Sequence, residues 1–171
     1  MPHYSDTVIR SILRSVKTIA MVGASANAIR PSYFAMMYLL GKGYKVIPVN
    51  PGAAGQEILG QKVYASLKDV PAPVDMVDIF REAKFAPAIA REAVTEKDRL
   101  GIKVLWMQLG VISEEAENIG KEAGFTVIMD RCPKIEHGRF SGELGWMGVN
   151  RKFIDNRKPM LFGKGGSLKN S

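Results

Sequence analysis

A short run of small residues, Gly23-Ala24-Ser25, directly follows the apolar stretch Thr18-Ile19-Ala20-Met21-Val22 and precedes Arg30-Pro31 and an apolar segment from Ser32. A strand, a small-residue loop and a helix in that order can cradle an anion. Glycine lets backbone approach a phosphate, and a helix N-terminus offers unpaired N–H groups at the positive end of its dipole. The next strand decides what the phosphate is attached to. In a nicotinamide-binding unit it ends in Asp or Glu, which accepts from the ribose hydroxyls; here it ends in Val49-Asn50-Pro51. Asn50 is neutral, so a ribose that itself bears phosphate is admissible.

Two further apolar runs end in polar or aromatic residues: Met76-Val77-Asp78-Ile79 leads into Phe80-Arg81, and Lys103-Val104-Leu105-Trp106-Met107 leads into Gln108-Leu109-Gly110. Ligands of open α/β sheets sit beyond the C-terminal strand ends. The rim delivered there is a mixture of apolar, amide and cationic groups. Adenine prefers an apolar or aromatic slot, and phosphate oxygens prefer guanidinium forks and backbone N–H groups. Arg30 and Arg81 are the candidate phosphate clamps; the plainer alternative is that both are surface arginines. No Ser/His/Asp order, paired helical carboxylates or activated nucleophile stands out, which points to binding without catalysis.

The elements that must position these groups alternate: strand 18–22, helix 32–42, strand 45–49, strand 75–79, helix 84–99, strand 103–107, helix 113–123 and strand 126–130. The strands are short apolar runs, as expected when both faces of a parallel sheet are covered. Alternation selects a doubly wound α/β fold. Ser113 ahead of Glu114, Glu115 and Glu117 marks a helix start, and Gly124 after Lys121 marks its end. Residues 55–64 hold too many turn formers for a crossover helix, so a short turn or strand is expected there, with a small helix at 66–70. Tyr33–Leu40 is apolar throughout, leaving a face that a second subunit or the segment 144–149 could cover.

The chain has 171 residues, 46% of them hydrophobic, which suits one domain with a sizeable core. We divide it into a folded body, 1–140, and a basic tail, 141–171; +5 of the formal +7 charge falls in residues 151–171. That tail lacks an aromatic platform or nucleic-acid motif, so nucleic acid is disfavoured as a partner. No apolar run is long enough to span a membrane, and the polar start lacks a signal peptide's apolar region; a cytoplasmic protein is expected. One cysteine and two separated histidines give no metal-ligand spacing. Cys132, beside Arg131, admits two readings: a thiol of lowered pKa that pairs with a ligand thiol, or a buried inert side chain. His137 could reach the edge of the site or cap a loop. Trp106 and the methionines are read as core.

Taken in order, Val22-Gly23-Ala24-Ser25, Arg30-Pro31-Ser32-Tyr33, Val49-Asn50-Pro51 within 44–52, Gly55–Gly60, Asp78-Ile79-Phe80-Arg81, Trp106-Met107-Gln108-Leu109-Gly110 and Asp130-Arg131-Cys132 resemble the small stand-alone CoA-binding proteins. These are related to the N-terminal domain of the succinyl-CoA synthetase α subunit. The resemblance covers roughly residues 15–140. It implies a Rossmann-like domain with a mainly parallel five-stranded sheet, binding coenzyme A or an acyl-CoA through Gly23, Ala24, Ser25, Arg30, Val49, Asn50, Pro51, Phe80, Arg81, Gln108 and Gly110. It further implies that the first loop lies near phosphate, the Asn50-Pro51 turn near the nucleotide and Phe80 near adenine. The 3′-phosphate of CoA would be repelled by an acid at position 50, whereas Asn50 can donate to it. Neither histidine matches the phosphorylated histidine of the synthetase, whose second domain has no counterpart here.

The expected function is therefore a CoA-binding or regulatory module, alone, as a homodimer or with a partner enzyme. Two other classes stay open. An NADP- or NAD-dependent oxidoreductase is favoured by the general fold but opposed by Asn50 and by the missing second glycine of a Gly-x-Gly pattern. An adaptor would act through the basic tail.

Overall fold

The computed structural model describes residues 2–141. Five parallel strands form the sheet: β1 (Thr18–Val22), β2 (Lys45–Val49), β5 (Met76–Ile79), β6 (Val104–Met107) and β7 (Thr126–Ile128), in the order β2-β1-β5-β6-β7. A two-residue hairpin, β3 (Glu57–Ile58) and β4 (Gln61–Lys62), lies between β2 and β5 in sequence. It turns through Leu59 and Gly60, at φ 51° and 79°, the positive pair that a tight hairpin turn demands. This is the short strand expected from residues 55–64, and the small helix near 66–70 is a 3-10 turn at Leu67–Asp69.

The chain leaves β1 for β2 on one side and later returns to β5 on the other, so winding reverses between β1 and β5. Such a reversal opens a crevice at the strand ends. Side-chain alternation explains the apolar runs. Ala20, Val22, Ile47, Val77, Ile79, Leu105, Met107 and Val127 face one core, shared with Ile89 and Ala90 of α3 (Ala86–Thr95) and Ala116 of α5 (Glu114–Glu122). Ile19, Met21, Val46, Met76, Val104, Trp106 and Ile128 face the other, shared with α1 (Asp6–Ser15) and α2 (Pro31–Gly41). Trp106 is fully buried, and its Nε1 donates to Arg131 O at 2.8 Å, so burial leaves no indole N–H unsatisfied.

Two elements differ in extent from the sequence reading. The expected helix 84–99 is a 3-10 turn at Ala83–Phe85, then α3, then the single turn α4 (Lys97–Leu100), divided at Glu96. The last strand stops at Ile128, because Asp130 takes φ 58° and cannot continue a ladder. Two helices were not anticipated. In α1, Ser5 caps the N-terminus by accepting from Val8 N, and Ile9, Ile12 and Leu13 bury one face. The other, α6 (Pro133–Arg139), packs on α1 and α2.

Part of the apolar surface of α2 is thus covered from within: Ala35, Met36 and Leu39 are buried, while Phe34 and Met37 stay exposed. The segment 144–149 and the rest of the tail lie outside the described residues. Among the described residues, no helix is long and apolar enough to cross a membrane.

Candidate nucleotide-binding cleft

At the reversal point the C-terminal strand ends enclose a cleft of about 730 Å³, lined by residues that include Gly23, Ser25, Arg30, Ser32, Asn50, Phe80, Arg81, Phe85 and Gln108. This is the size of a small-molecule site. Its charged lining residues are Arg30, Arg81 and Glu82, so two cations face one carboxylate.

Gly23 is placed by two constraints. Its φ is +94°, and a Cβ would stand 2.6 Å from Phe80 O and 2.9 Å from Arg81 Cδ. Glycine here lets the β1 loop lie against the end of β5, as well as leaving backbone open to a ligand. Beyond it, Ser25 Oγ accepts from Asn27 N, and Asn27 Oδ1 accepts from Ile29 N, at 3.0 and 3.1 Å. These local bonds hold the loop in its turn before α2. Arg30 occupies the N-cap position of α2 with extended backbone and makes no side-chain cap bond, and Pro31 opens the helix. The helix N-terminus and Ser32 therefore face the cleft without a capping side chain between them.

Asn50 has a structural duty that the sequence did not reveal. Its Nδ2 donates to Ala24 O at 2.8 Å, and its Oδ1 accepts from Gly52 N at 2.9 Å. The amide latches the β1 loop to the turn after β2, which leaves the second Nδ2 hydrogen as its one donor for a ligand. An aspartate would lose the donor to Ala24 O and place a negative charge in the cleft.

Just past β5, beside Gly23, the Arg81 guanidinium carbon lies 4.1 Å from the Phe85 ring centroid. Stacking of this kind holds the planar group while its edge stays available for hydrogen bonding. Phe80 lines the cleft and donates its N–H to Val22 O at 2.8 Å.

Eight of the eleven site residues expected from sequence line the cleft: Gly23, Ser25, Arg30, Asn50, Pro51, Phe80, Arg81 and Gln108. Ala24 and Val49 are instead buried, at 1% and 2% exposure, and support the wall from behind. Gly110 donates its N–H to Asp130 Oδ1 at 2.7 Å, tying the end of β6 to the end of β7. Val22, Pro31, Ser32 and Leu109 also line the cleft; they stand in the motifs quoted from the sequence but not among its expected site residues, and Glu82, Phe85 and Val111 were missed altogether. Each of these last three lies past its strand, on a turn whose path hydrophobic periodicity does not describe.

His137 lies away from the cleft lining, between α6 and α2, with Tyr38 Oη 3.0 Å from Nδ1 and the Tyr44 ring packed edge-on. Burial, with a smaller effect from Lys42, lowers its pKa to about 4. It is a neutral packing residue, neither at the site edge nor a loop cap. Cys132 is buried, and burial raises its thiol pKa. The reading of Cys132 as an activated thiol is thereby corrected, since Arg131 turns its guanidinium to Asp130 O and Pro2 O.

Known proteins place this geometry in context. YneT of Bacillus subtilis (strain 168) is 40% identical over 137 residues, covering 80% of this chain and 97% of that protein. A hypothetical protein from Pyrococcus horikoshii OT3 has a solved structure that superposes with a TM-score of 0.74 at 38% identity, over 80% of this chain and 92% of that one. The α subunit of acetate–CoA ligase [ADP-forming] I from Pyrococcus furiosus is 33% identical over 110 residues; the match takes in 62% of this chain and only 24% of the subunit. The CoA binding domain family matches residues 17–138. That span holds the whole sheet and every residue lining the cleft, and the chain belongs to the CoA binding domain family.

Proposed function

We propose that the cleft binds coenzyme A or an acyl-CoA and that the chain serves as a binding or regulatory module, without carrying out ligase chemistry itself. The observation that carries this reading is the pairing of Arg30 and Arg81 with the uncapped start of α2 around one cleft at the winding reversal. Guanidinium forks and helix N–H groups suit the diphosphate and 3′-phosphate of CoA. Phe80 offers an aromatic side chain for adenine, while Phe85 backs the Arg81 guanidinium. The latch made by Asn50 is neutral, so it adds no repulsion toward the phosphorylated ribose. In the ligase subunit of Pyrococcus furiosus the matching segment is about a quarter of a larger protein, so a separate partner enzyme is one setting in which this module would work.

Thermal unfolding with CoA, acetyl-CoA, dephospho-CoA, NAD and NADP tests the assignment. Ligand at about 100 times its Kd adds roughly 2.7 kcal/mol, or about 5 to 10 °C for a domain of this size. CoA should give that shift, dephospho-CoA a smaller one and NAD none. Arg30→Ala and Arg81→Ala should each weaken CoA binding about tenfold, the loss expected for a charge-assisted contact. A shift with NAD or NADP alone would overturn the reading, and unchanged CoA affinity in both arginine variants would overturn the site.

A further inference from the structure

Beneath the cleft lies a buried polar cluster that no contact so far described explains. Asp78 is completely buried in the middle of β5, and neither carboxylate oxygen has a hydrogen-bond partner among the described residues. The Oε1 of Gln108 is likewise buried and unpartnered, although Gln108 itself lines the cleft. Register brings the two together. Asp78 pairs with Trp106 across β5 and β6, and Gln108 follows two residues later with its N–H on Ile79 O at 3.1 Å. Asp78 and Trp106 are register partners on the α1/α2/α6 side of the sheet, and carrying the alternation one residue past the end of β6 puts Gln108 on that same side, diagonal to Asp78. Cys132, at the start of α6, completes the cluster: its thiol interacts with the Gln108 side chain and feels the Asp78 carboxyl.

Three acceptor oxygens in one buried place need a donor, because an unmade buried hydrogen bond costs far more than a made one returns. Burial also drives the carboxyl of Asp78 well above the ordinary carboxylate range, which favours its protonated form. A carboxylic acid has one O–H to give, and Gln108 Oε1 is the neighbouring acceptor that lacks one.

We propose that Asp78 is a positioning residue for the cleft: as a carboxylic acid it donates to Gln108 Oε1 and fixes the Gln108 amide, leaving Nε2 as the donor available to the Cys132 sulfur and to an acceptor oxygen of the bound ligand. The role in ligand binding rests on the CoA reading above; the contact between Asp78 and Gln108 does not.

The test compares CoA titrations of wild type, Asp78→Leu, Asp78→Asn, Gln108→Leu and the Asp78→Leu/Gln108→Leu double variant. Asp78→Leu and Gln108→Leu should each weaken binding about tenfold, while the double variant is no weaker than Gln108→Leu alone, the non-additivity of residues acting through one contact. Asp78→Asn, whose amide can also donate to Oε1, should recover binding to within about threefold of wild type. Wild-type affinity in Asp78→Leu, or losses that multiply in the double variant, would overturn the proposal.

Should the leucine variants fail to fold, two readouts on unliganded protein decide. At pH 7 wild type should show an infrared carboxylic-acid C=O band that Asp78→Asn lacks, and the Gln108 side-chain amide NMR signals should move in Asp78→Asn. Absence of that band in wild type sinks the proposal. The band and the moved signals in a protein that binds no CoA would sink the ligand reading and leave the Asp78–Gln108 contact standing.

Discussion

At the scale of single residues, the cleft depends most sharply on the one position where nothing but glycine fits. Adding a Cβ at Gly23 meets the carbonyl oxygen of Phe80 at 2.6 Å, and φ +94° is unfavourable for any L side chain. Neither problem can be relieved by a rotamer change, because both the offender and the obstacle are backbone. Gly23→Ala should therefore cost roughly 3 kcal/mol of stability, seen as a lowered urea midpoint with unchanged m-value. It should also reduce CoA binding at temperatures where the variant is still folded, since β1 and β5 can relax only by moving the loop that lines the cleft. A midpoint equal to that of wild type would show that the loop has slack which its contacts do not suggest. Gly23 was legible in the sequence as a phosphate-approach residue, but its contact with the end of β5 was not, because that contact joins residues 57 positions apart. Asn50 is a parallel case. Its neutrality could be read directly, whereas its bond to Ala24 O depends on two loops meeting at the top of the sheet. Asp78 was read only as part of the strand run Met76–Ile79; that its side chain is fully buried without a partner is apparent only in the fold.

At the scale of elements, the strands and most helices were legible because each apolar run serves a sheet covered on both faces. The helices α1 and α6 were not, although Ser5 with Ile9, Ile12 and Leu13 carries a cap and a helical stripe. Their packing has a titratable signature. His137 joins α6 to α2 through Tyr38, and burial lowers its pKa to about 4, against about 6.5 in an unfolded chain. A depressed histidine pKa means that the unfolded chain takes up the proton first as pH falls. The stability gained from neutral His137 is then complete above pH 6.5 and lost progressively toward pH 4, by about 3 kcal/mol in all. Asp78 works in the opposite sense. Its raised pKa keeps a proton in the folded state that the unfolded chain releases, so its contribution declines as pH rises above about 4. The two opposing slopes overlap above about pH 4, within the pH 4 to 6.5 range of His137, and a single unfolding curve would conceal both. Urea midpoints across that range should separate them: His137→Gln should lose stability relative to wild type at pH 7 and recover it toward pH 4. A wild-type-minus-variant difference that stays flat across the range would mean that His137 titrates alike in folded and unfolded protein.

At the scale of the whole molecule, charge and architecture point in different directions. The formal charge of +7 suggests a polyanion partner, yet +5 of it belongs to residues 151–171, beyond the family match that ends at residue 138. Every element of the sheet and every residue of the cleft lies within 18–128, and the helices that close the second face are complete by Arg139. Ligand binding should consequently be separable from anything the basic segment does. Deleting residues 142–171 is expected to leave CoA affinity within about twofold of the full chain, since every residue lining the cleft and every strand of the sheet belongs to the part that remains. In the same pair of proteins, retention on an anionic matrix should fall on deletion, because most of the excess positive charge has gone. If instead CoA affinity falls tenfold or more, the basic segment supplies contacts to the phosphates that the cleft arginines do not. That result would move the ligand's anchoring from the strand ends to the C-terminus, and it would turn the tail from a separable appendage into part of the site.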